Sequence, residues 1–141
     1  SPEAQNKIVH RLVDKINKNA DDIIMIEEDE TDDADVIVMA YGITSRVTMP
    51  AIFEARKKGL KVGFIKLITA WPFPEKRVKQ LAKKVKAFVM PEINLGQVVL
   101  ELERIVAGKA NVYHVPHAGG WVHDPADIFK VIEEAANGNK K

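Results

Sequence analysis

The side chains that could do chemistry fall into a few short stretches, and most lack the spacing that chemistry needs. His114, His117 and His123, followed by Asp124, invite a metal site. A metal requires deprotonated ligands that converge from rigid elements. Here His114 falls in a β-prone run while His117 and His123 flank Gly119-Gly120, so all three read as ordinary strand and loop histidines. The acidic run from Glu27 to Asp35 suggests calcium, yet it has no glycine for the tight turn of a calcium loop. It reads instead as a solvated turn whose charges protect a sheet edge. Ser45 has no glycine-flanked elbow and no acid–histidine pair placed to activate it, and Glu101 and Glu103 point to different helix faces. Gly42-Ile43-Thr44-Ser45 could hold a small anion at a helix N-terminus, although a tight turn capped by Thr44 is the preferred reading. No catalytic, cofactor-binding or metal residue is assigned.

Two stretches remain, and they suit recognition better than catalysis. In Trp71-Pro72-Phe73-Pro74, the prolines lower the entropy lost on ordering, and tryptophan is enriched among binding hot spots. Folding the two aromatics back onto the core is the competing reading. In Glu92-Ile93-Asn94-Leu95-Gly96-Gln97, the three polar side chains either hold their own loop or hydrogen-bond a partner, and Gly96 lets a neighbouring backbone approach. Trp71, Phe73, Glu92, Asn94 and Gln97 are therefore the expected interface residues.

The elements that must position these loops follow from hydrophobic periodicity. Val9, Leu12, Val13 and Ile16 predict an amphipathic helix over roughly residues 3 to 19. Ile23 to Ile26 and Val36 to Ala40 read as strands, joined by a connection too short for a crossover helix, so they are expected to be antiparallel neighbours with the first at the edge. Thr44 or Thr48 would cap a helix that runs to Lys58 and ends at Gly59, with Pro50 awkward for the earlier start. Val62–Leu67, Ala87–Met90 and Val112–Val115 are further strands. Helices are expected from Pro74, through Val98 to Val106, and from Asp124-Pro125 to just before Gly138, with the Lys140-Lys141 tail frayed. The expected fold is thus α/β: a three-layer α/β/α domain with a five-stranded, mostly parallel sheet and one antiparallel edge strand. Right-handed crossovers bring Tyr41-Gly42, Thr69–Phe73, Glu92–Gln97 and Pro116–Trp121 to the sheet's carboxyl edge, where open α/β sheets bind their ligands.

Composition narrows the function classes. The 141 residues are read as a single domain, expected to be a fragment of a longer subunit because the chain starts abruptly at Ser1-Pro2-Glu3. Lysine and arginine number 21 against 20 aspartates and glutamates, so no global field recruits nucleic acid or an anionic membrane. No apolar run is long enough to span a bilayer and no signal-peptide pattern precedes the first helix, so the expected compartment is the cytoplasm. There is no cysteine, which removes disulfides, thiolate nucleophiles and any iron–sulfur cluster ligated by this chain.

Taken in order, the motifs resemble a known family. Asp35-Val-Ile-Val-Met-Ala-Tyr-Gly42, Ala55-Arg56 with Gly59-Leu-Lys-Val-Gly63, Leu67-Ile-Thr-Ala-Trp-Pro-Phe-Pro74, Glu92-Ile-Asn-Leu-Gly-Gln97, and Gly119-Gly120 before Asp124-Pro125 are similar to the second domain of the alpha subunit of 2-oxoacid:ferredoxin oxidoreductases. That domain resembles the transketolase C-terminal domain, and within the family the chain looks most like the 2-oxoglutarate type. The resemblance implies a subunit-organising domain in an enzyme that oxidatively decarboxylates a 2-oxo acid to an acyl-CoA. Thiamine diphosphate, Mg2+ and an iron–sulfur cluster would belong to the full oligomeric complex, with electrons passing to ferredoxin. The preceding domain of the alpha subunit and a separate thiamine-binding beta subunit would supply the thiamine site, and this chain itself is expected to bind no cofactor. The alternatives are the C-terminal domain of another thiamine-dependent enzyme, and a free-standing module for small anions at Gly42 and Gly119-Gly120.

Overall fold

The computed structural model describes residues 1–138, so the Lys140-Lys141 tail, expected to fray, lies outside the described residues. Strands β1 (Ile26–Asp29), β2 (Val36–Tyr41), β3 (Val62–Leu67), β4 (Ala87–Glu92) and β5 (Asn111–Pro116) form one sheet in the order β1-β3-β2-β4-β5. All neighbouring pairs are parallel except β1 with β3. The connecting helices are α1 (Pro2–Asn17), α2 (Ala20–Ile23), α3 (Gly42–Lys57), α4 (Glu75–Leu81), α5 (Val98–Val106) and α6 (Pro125–Ala136).

Alternation along the central strands feeds two cores, as period-2 geometry requires. Ile37, Met39, Ile65, Phe88 and Met90 face α4 and α5, packing on Val78, Leu81, Leu102 and Ile105. Val36, Val38, Phe64, Ala87 and Val89 face α3 and α6, packing on Ile52, Ala55, Ile128 and Ile132. The expected three-layer α/β/α architecture is therefore present. Asp124 caps α6 as expected, its side chain accepting from the Ala126 N–H at 2.9 Å.

The first strand is shifted in both sequence and place. Residues 20–23 form the short helix α2, and the strand begins at Ile26 and runs into the acidic stretch. It pairs with β3 rather than β2, because both sides of β2 are taken by β3 and β4. Cross-strand and strand–helix cations make the acidic strand tenable. Glu27 meets Lys66 at 2.9 Å, Asp29 meets Arg56 at 2.7 Å, and Glu28 receives two bonds from the Arg77 guanidinium at 2.8 and 2.7 Å.

To reach β2, the connection after β1 must cross over β3, and it does so at Gly63. A Cβ built there would lie 2.7 Å from Ile37 Cδ1, 2.8 Å from the Glu30 carbonyl oxygen and 2.9 Å from Thr31 Cα. Two of these three neighbours are backbone atoms of the crossing connection, so its backbone sets the requirement for glycine.

Two boundaries also differ from the periodicity. Helix α3 begins at Gly42, with Tyr41 at its N-cap and no side-chain cap, while Thr44 and Thr48 are buried within it. Pro50 lies inside the helix and forfeits one N–H, but Thr48, Ala51, Ile52 and Ala55 are buried around it. Burial of that face outweighs the broken bond. Strand β4 continues through Pro91 to Glu92. Its pairing with β2 ends at Val38 opposite Val89, two residues before the proline that has no N–H to give.

Gly63→Ala is expected to lower stability by about 1–3 kcal/mol through overpacking. Urea unfolding followed by circular dichroism checks this, and an unchanged midpoint would show that the crossing relaxes freely.

Candidate functional site at the carboxyl edge

Strand order reverses between β2 and β4, since the chain steps from β2 to β3 on one side and then returns to β4 on the other. In open α/β sheets this switch point is the usual ligand crevice. Here the crevice is filled by the chain's own carboxylate. Glu92, the last residue of β4, is fully buried. Its Oε1 accepts from the Tyr41 hydroxyl at 2.9 Å, the Val98 N–H at 2.9 Å and Asn94 Nδ2 at 3.2 Å. Its Oε2 accepts from the Val99 N–H at 3.0 Å, with His114 Nε2 at 3.4 Å from the same oxygen.

Val98 and Val99 open helix α5, so Glu92 occupies the amide cradle that a helix N-terminus would offer to an external anion. Gln97 at the N-cap makes no side-chain cap, and Glu92 takes over that duty from the preceding strand. Burial opposes ionisation of the carboxyl, but the two backbone N–H groups, Tyr41 and Asn94 together outweigh it and hold Glu92 below the usual carboxylate range. Across the bond, burial first and then the neighbouring carboxylate push the Tyr41 phenol up to about 12.

Asn94 is equally committed inside the chain. Its Nδ2 donates to Tyr41 Oη at 3.1 Å as well as to Glu92, and its Oδ1 accepts from the Gly96 N–H at 2.8 Å. Gly96 adopts φ +118, and a Cβ there would press on the His114 ring at 3.4 Å. The loop is thus closed by Tyr41, Glu92, Asn94 and His114. The sequence places Tyr41 on an edge loop and His114 among ordinary strand histidines, and neither segment carries a pattern that joins it to Glu92.

The five expected interface residues divide by burial. Trp71 is 62% exposed, whereas Phe73 is 4% exposed and belongs to the core beneath α4 and α5. Glu92 and Asn94 spend their hydrogen bonds internally, and Gln97 is exposed. Around Trp71 and Gln97 the edge carries further apolar surface, with Leu95 80% and Trp121 79% exposed, and Ile93 and Val122 also open to solvent. Trp71 borders a cleft of about 530 Å3, together with Asn17, Ile24 and Ile26.

The histidines do not converge. His114 turns to Glu92, and buried His123 donates its Nε2–H to the Val115 carbonyl at 2.8 Å, with the His117 ring centroid 5.2 Å from its own. Among the described residues no group of three or more side chains is arranged to hold a metal. Thiamine diphosphate does not fit the switch point either, because Glu92 already consumes the helix amides a diphosphate would need.

The sequence profile of the pyruvate:ferredoxin oxidoreductase core domain II matches residues 34–128. The chain belongs to this family. It is 42% identical over 132 residues to 2-oxoglutarate synthase subunit KorA of Methanocaldococcus jannaschii, and 39% identical over 132 residues to the KorA of Methanothermobacter marburgensis. Each match covers 94% of this chain and 35% of the relative, so the chain spans about a third of the length of those subunits. Ketoisovalerate oxidoreductase subunit VorB of Methanothermobacter marburgensis is 35% identical over 113 residues, which is 80% of this chain and 32% of that subunit. In structure, the chain overlays with TM-score 0.73 and 22% identity on a 2-oxoglutarate:ferredoxin oxidoreductase from Magnetococcus marinus, covering 96% of this chain and 24% of that one. A split-gene transketolase overlays with TM-score 0.67 and 13% identity over 81% of this chain and 42% of that one. The fold is accordingly that of the family's core domain II and is shared with transketolase. No helix among the described residues is long and apolar enough to cross a membrane.

Glu92→Ala strips four donors of their acceptor and is expected to cost on the order of 3 kcal/mol. The pH dependence has two limbs with definite signs. A carboxyl held below its ordinary value contributes stability that is present above that value and is lost as pH falls through the folded one. A phenol raised to about 12 contributes stability that is present below pH 10 and lost as pH rises towards 12. Unfolding midpoints across pH should show a flattened acid limb in Glu92→Gln and a flattened alkaline limb in Tyr41→Phe. Profiles that superimpose on the unsubstituted chain would exclude the carboxylate brace.

Proposed function

We propose that the chain is the domain II part of the alpha subunit of a 2-oxoacid:ferredoxin oxidoreductase of the 2-oxoglutarate type. In this role it organises subunits and does no bond-making itself. The assembly would convert the 2-oxo acid and coenzyme A to acyl-CoA, with ferredoxin taking the electrons. Thiamine diphosphate, Mg2+ and iron–sulfur chemistry would reside in its other parts. The higher identities to 2-oxoglutarate synthase subunits over 94% of the chain support the substrate class.

The observation that carries the organising role is the apolar surface at the carboxyl edge. Trp71, Leu95 and Trp121 are each more than 60% exposed, and the loop carrying Leu95 is braced from beneath by Glu92 and Asn94. Exposed aromatics on a preorganised frame are the usual make-up of an interface hot spot. In this reading Trp71 and Gln97 meet the thiamine-binding partner directly. Phe73, Glu92 and Asn94 act one layer below, fixing the loop shape that presents them.

Reconstitution with the thiamine-binding beta subunit, followed by coenzyme A-dependent reduction of a viologen dye, tests the proposal. 2-Oxoglutarate should be preferred over pyruvate. Trp71→Ala should weaken assembly by about 2 kcal/mol, roughly thirtyfold, without moving the thermal midpoint. Phe73→Ala should instead lower stability by about 3–5 kcal/mol. Dye reduction that ignores every 2-oxo acid, or a Trp71→Ala complex as tight as the unsubstituted one, would overturn it.

A further inference from the structure

Helix α1 is the least explained element of the fold. It has no buried residue, and among the described elements it packs only against α2. Yet its sequence is built for packing. Ile8, Val9, Leu12 and Val13 lie along one side at helical spacing, each more than half exposed, with Ile16 continuing the stripe. A stripe of this kind, about two and a half turns long on a capped helix, is not a solvated face.

The flanks of the stripe are unlike each other. At 3.6 residues per turn, Lys7, Arg11 and Lys15 border the side next to Ile8 and Leu12, while Asn6, His10 and Asn17 border the other. None of those three cations has an ion-pair partner among the described residues, whereas Lys18 is joined to Asp14 at 2.6 Å. The matching surface is therefore apolar with carboxylates along one rim. A second copy of α1 fits poorly, since its own free charges repeat the same sign.

Where that surface lies follows from how the family match and the relatives differ in extent. The domain II profile begins at residue 34, leaving α1 outside it. The matches to the 2-oxoglutarate synthase subunits cover 94% of the chain, omitting at most nine residues, and so run into α1. Helix α1 thus belongs to the subunit but not to the domain II core. In addition, Asn17 at its end lines the same cleft as Trp71, so the C-terminal end of α1 lies beside the Trp71 loop.

We propose that α1 is a docking strap whose apolar face seats in a carboxylate-rimmed apolar groove on the remaining, thiamine-binding portion of the same subunit. This deepens the proposed oxidoreductase function and rests on it. The helix-in-groove mode explains why a long apolar stripe is left bare in the chain by itself.

Hydrogen exchange compares the 141-residue chain with a chimera in which it replaces the matching segment of the Methanocaldococcus jannaschii KorA subunit, assembled with its partner subunits. In the chain alone, α1 amides should exchange rapidly at every concentration while the β2 and β4 amides stay protected. In the chimera, α1 exchange should slow at least tenfold, and Leu12→Asp/Val13→Asp should abolish that slowing without altering the sheet. An assembled chimera active on 2-oxoglutarate whose α1 still exchanges rapidly overturns the strap and leaves the oxidoreductase reading intact. Protection that appears in the chain alone and grows with concentration assigns the stripe to a second copy, which also overturns it. Protected α1 in a chimera inactive on every 2-oxo acid sinks the oxidoreductase reading while keeping the docking contact, and an unprotected, inactive chimera sinks both.

Discussion

The carboxylate of Glu92 is the interaction on which the functional edge of this domain depends. A charge wholly removed from water is tolerable only when its lone pairs are satisfied, and here two backbone amides, a phenol and a carboxamide satisfy them. The donors come from three elements: the end of β2, the loop after β4 and the first turn of α5. One side chain therefore pins together the strands that diverge at the switch point. The same arrangement uses the amides that would cradle an anion in a nucleotide-binding relative of this topology. The amides at the switch point are thereby occupied from within the chain.

A second constraint operates at the opposite side of the sheet. With β2 enclosed by two parallel neighbours, β1 pairs with the free edge of β3, and the chain must cross that strand to reach β2. Gly63 makes room for that crossing, and the guanidinium groups of Arg56 and Arg77 neutralise the acids that protect the edge from other sheets. Acidity at β1 thus serves negative selection against stray pairing, while its cost is offset by cations reaching in from α3 and α4.

What is left uncovered then takes on meaning. The core is closed on both sheet faces, so the exposed Trp71, Leu95 and Trp121 at the carboxyl edge and the bare stripe of α1 are not gaps in an unfinished interior. On the proposed function they are surfaces for the rest of a subunit that, in the relatives, is about three times as long. The absence of cysteine agrees with a domain that ligates no cluster itself.

Local periodicity determined most of the architecture. The runs at 62–67, 98–106 and the Asp124-Pro125 start were legible because a strand or helix declares its buried face within a few residues. The Trp71 and Glu92 stretches stood out for a similar reason, as residue types that ordinary connections do not need. Tertiary structure alone decided the rest. The acidic stretch became part of β1 because Lys66, Arg56 and Arg77 approach it from distant positions. Phe73 went into the core while Trp71, two residues away, stayed outside, since only packing against α4 and α5 distinguishes them. Glu92 found Tyr41, 51 residues earlier, and no pattern within either segment records that bond. A sequence states which groups must be satisfied, but the identity of a long-range partner is set by strand order, which exists only once the sheet has formed.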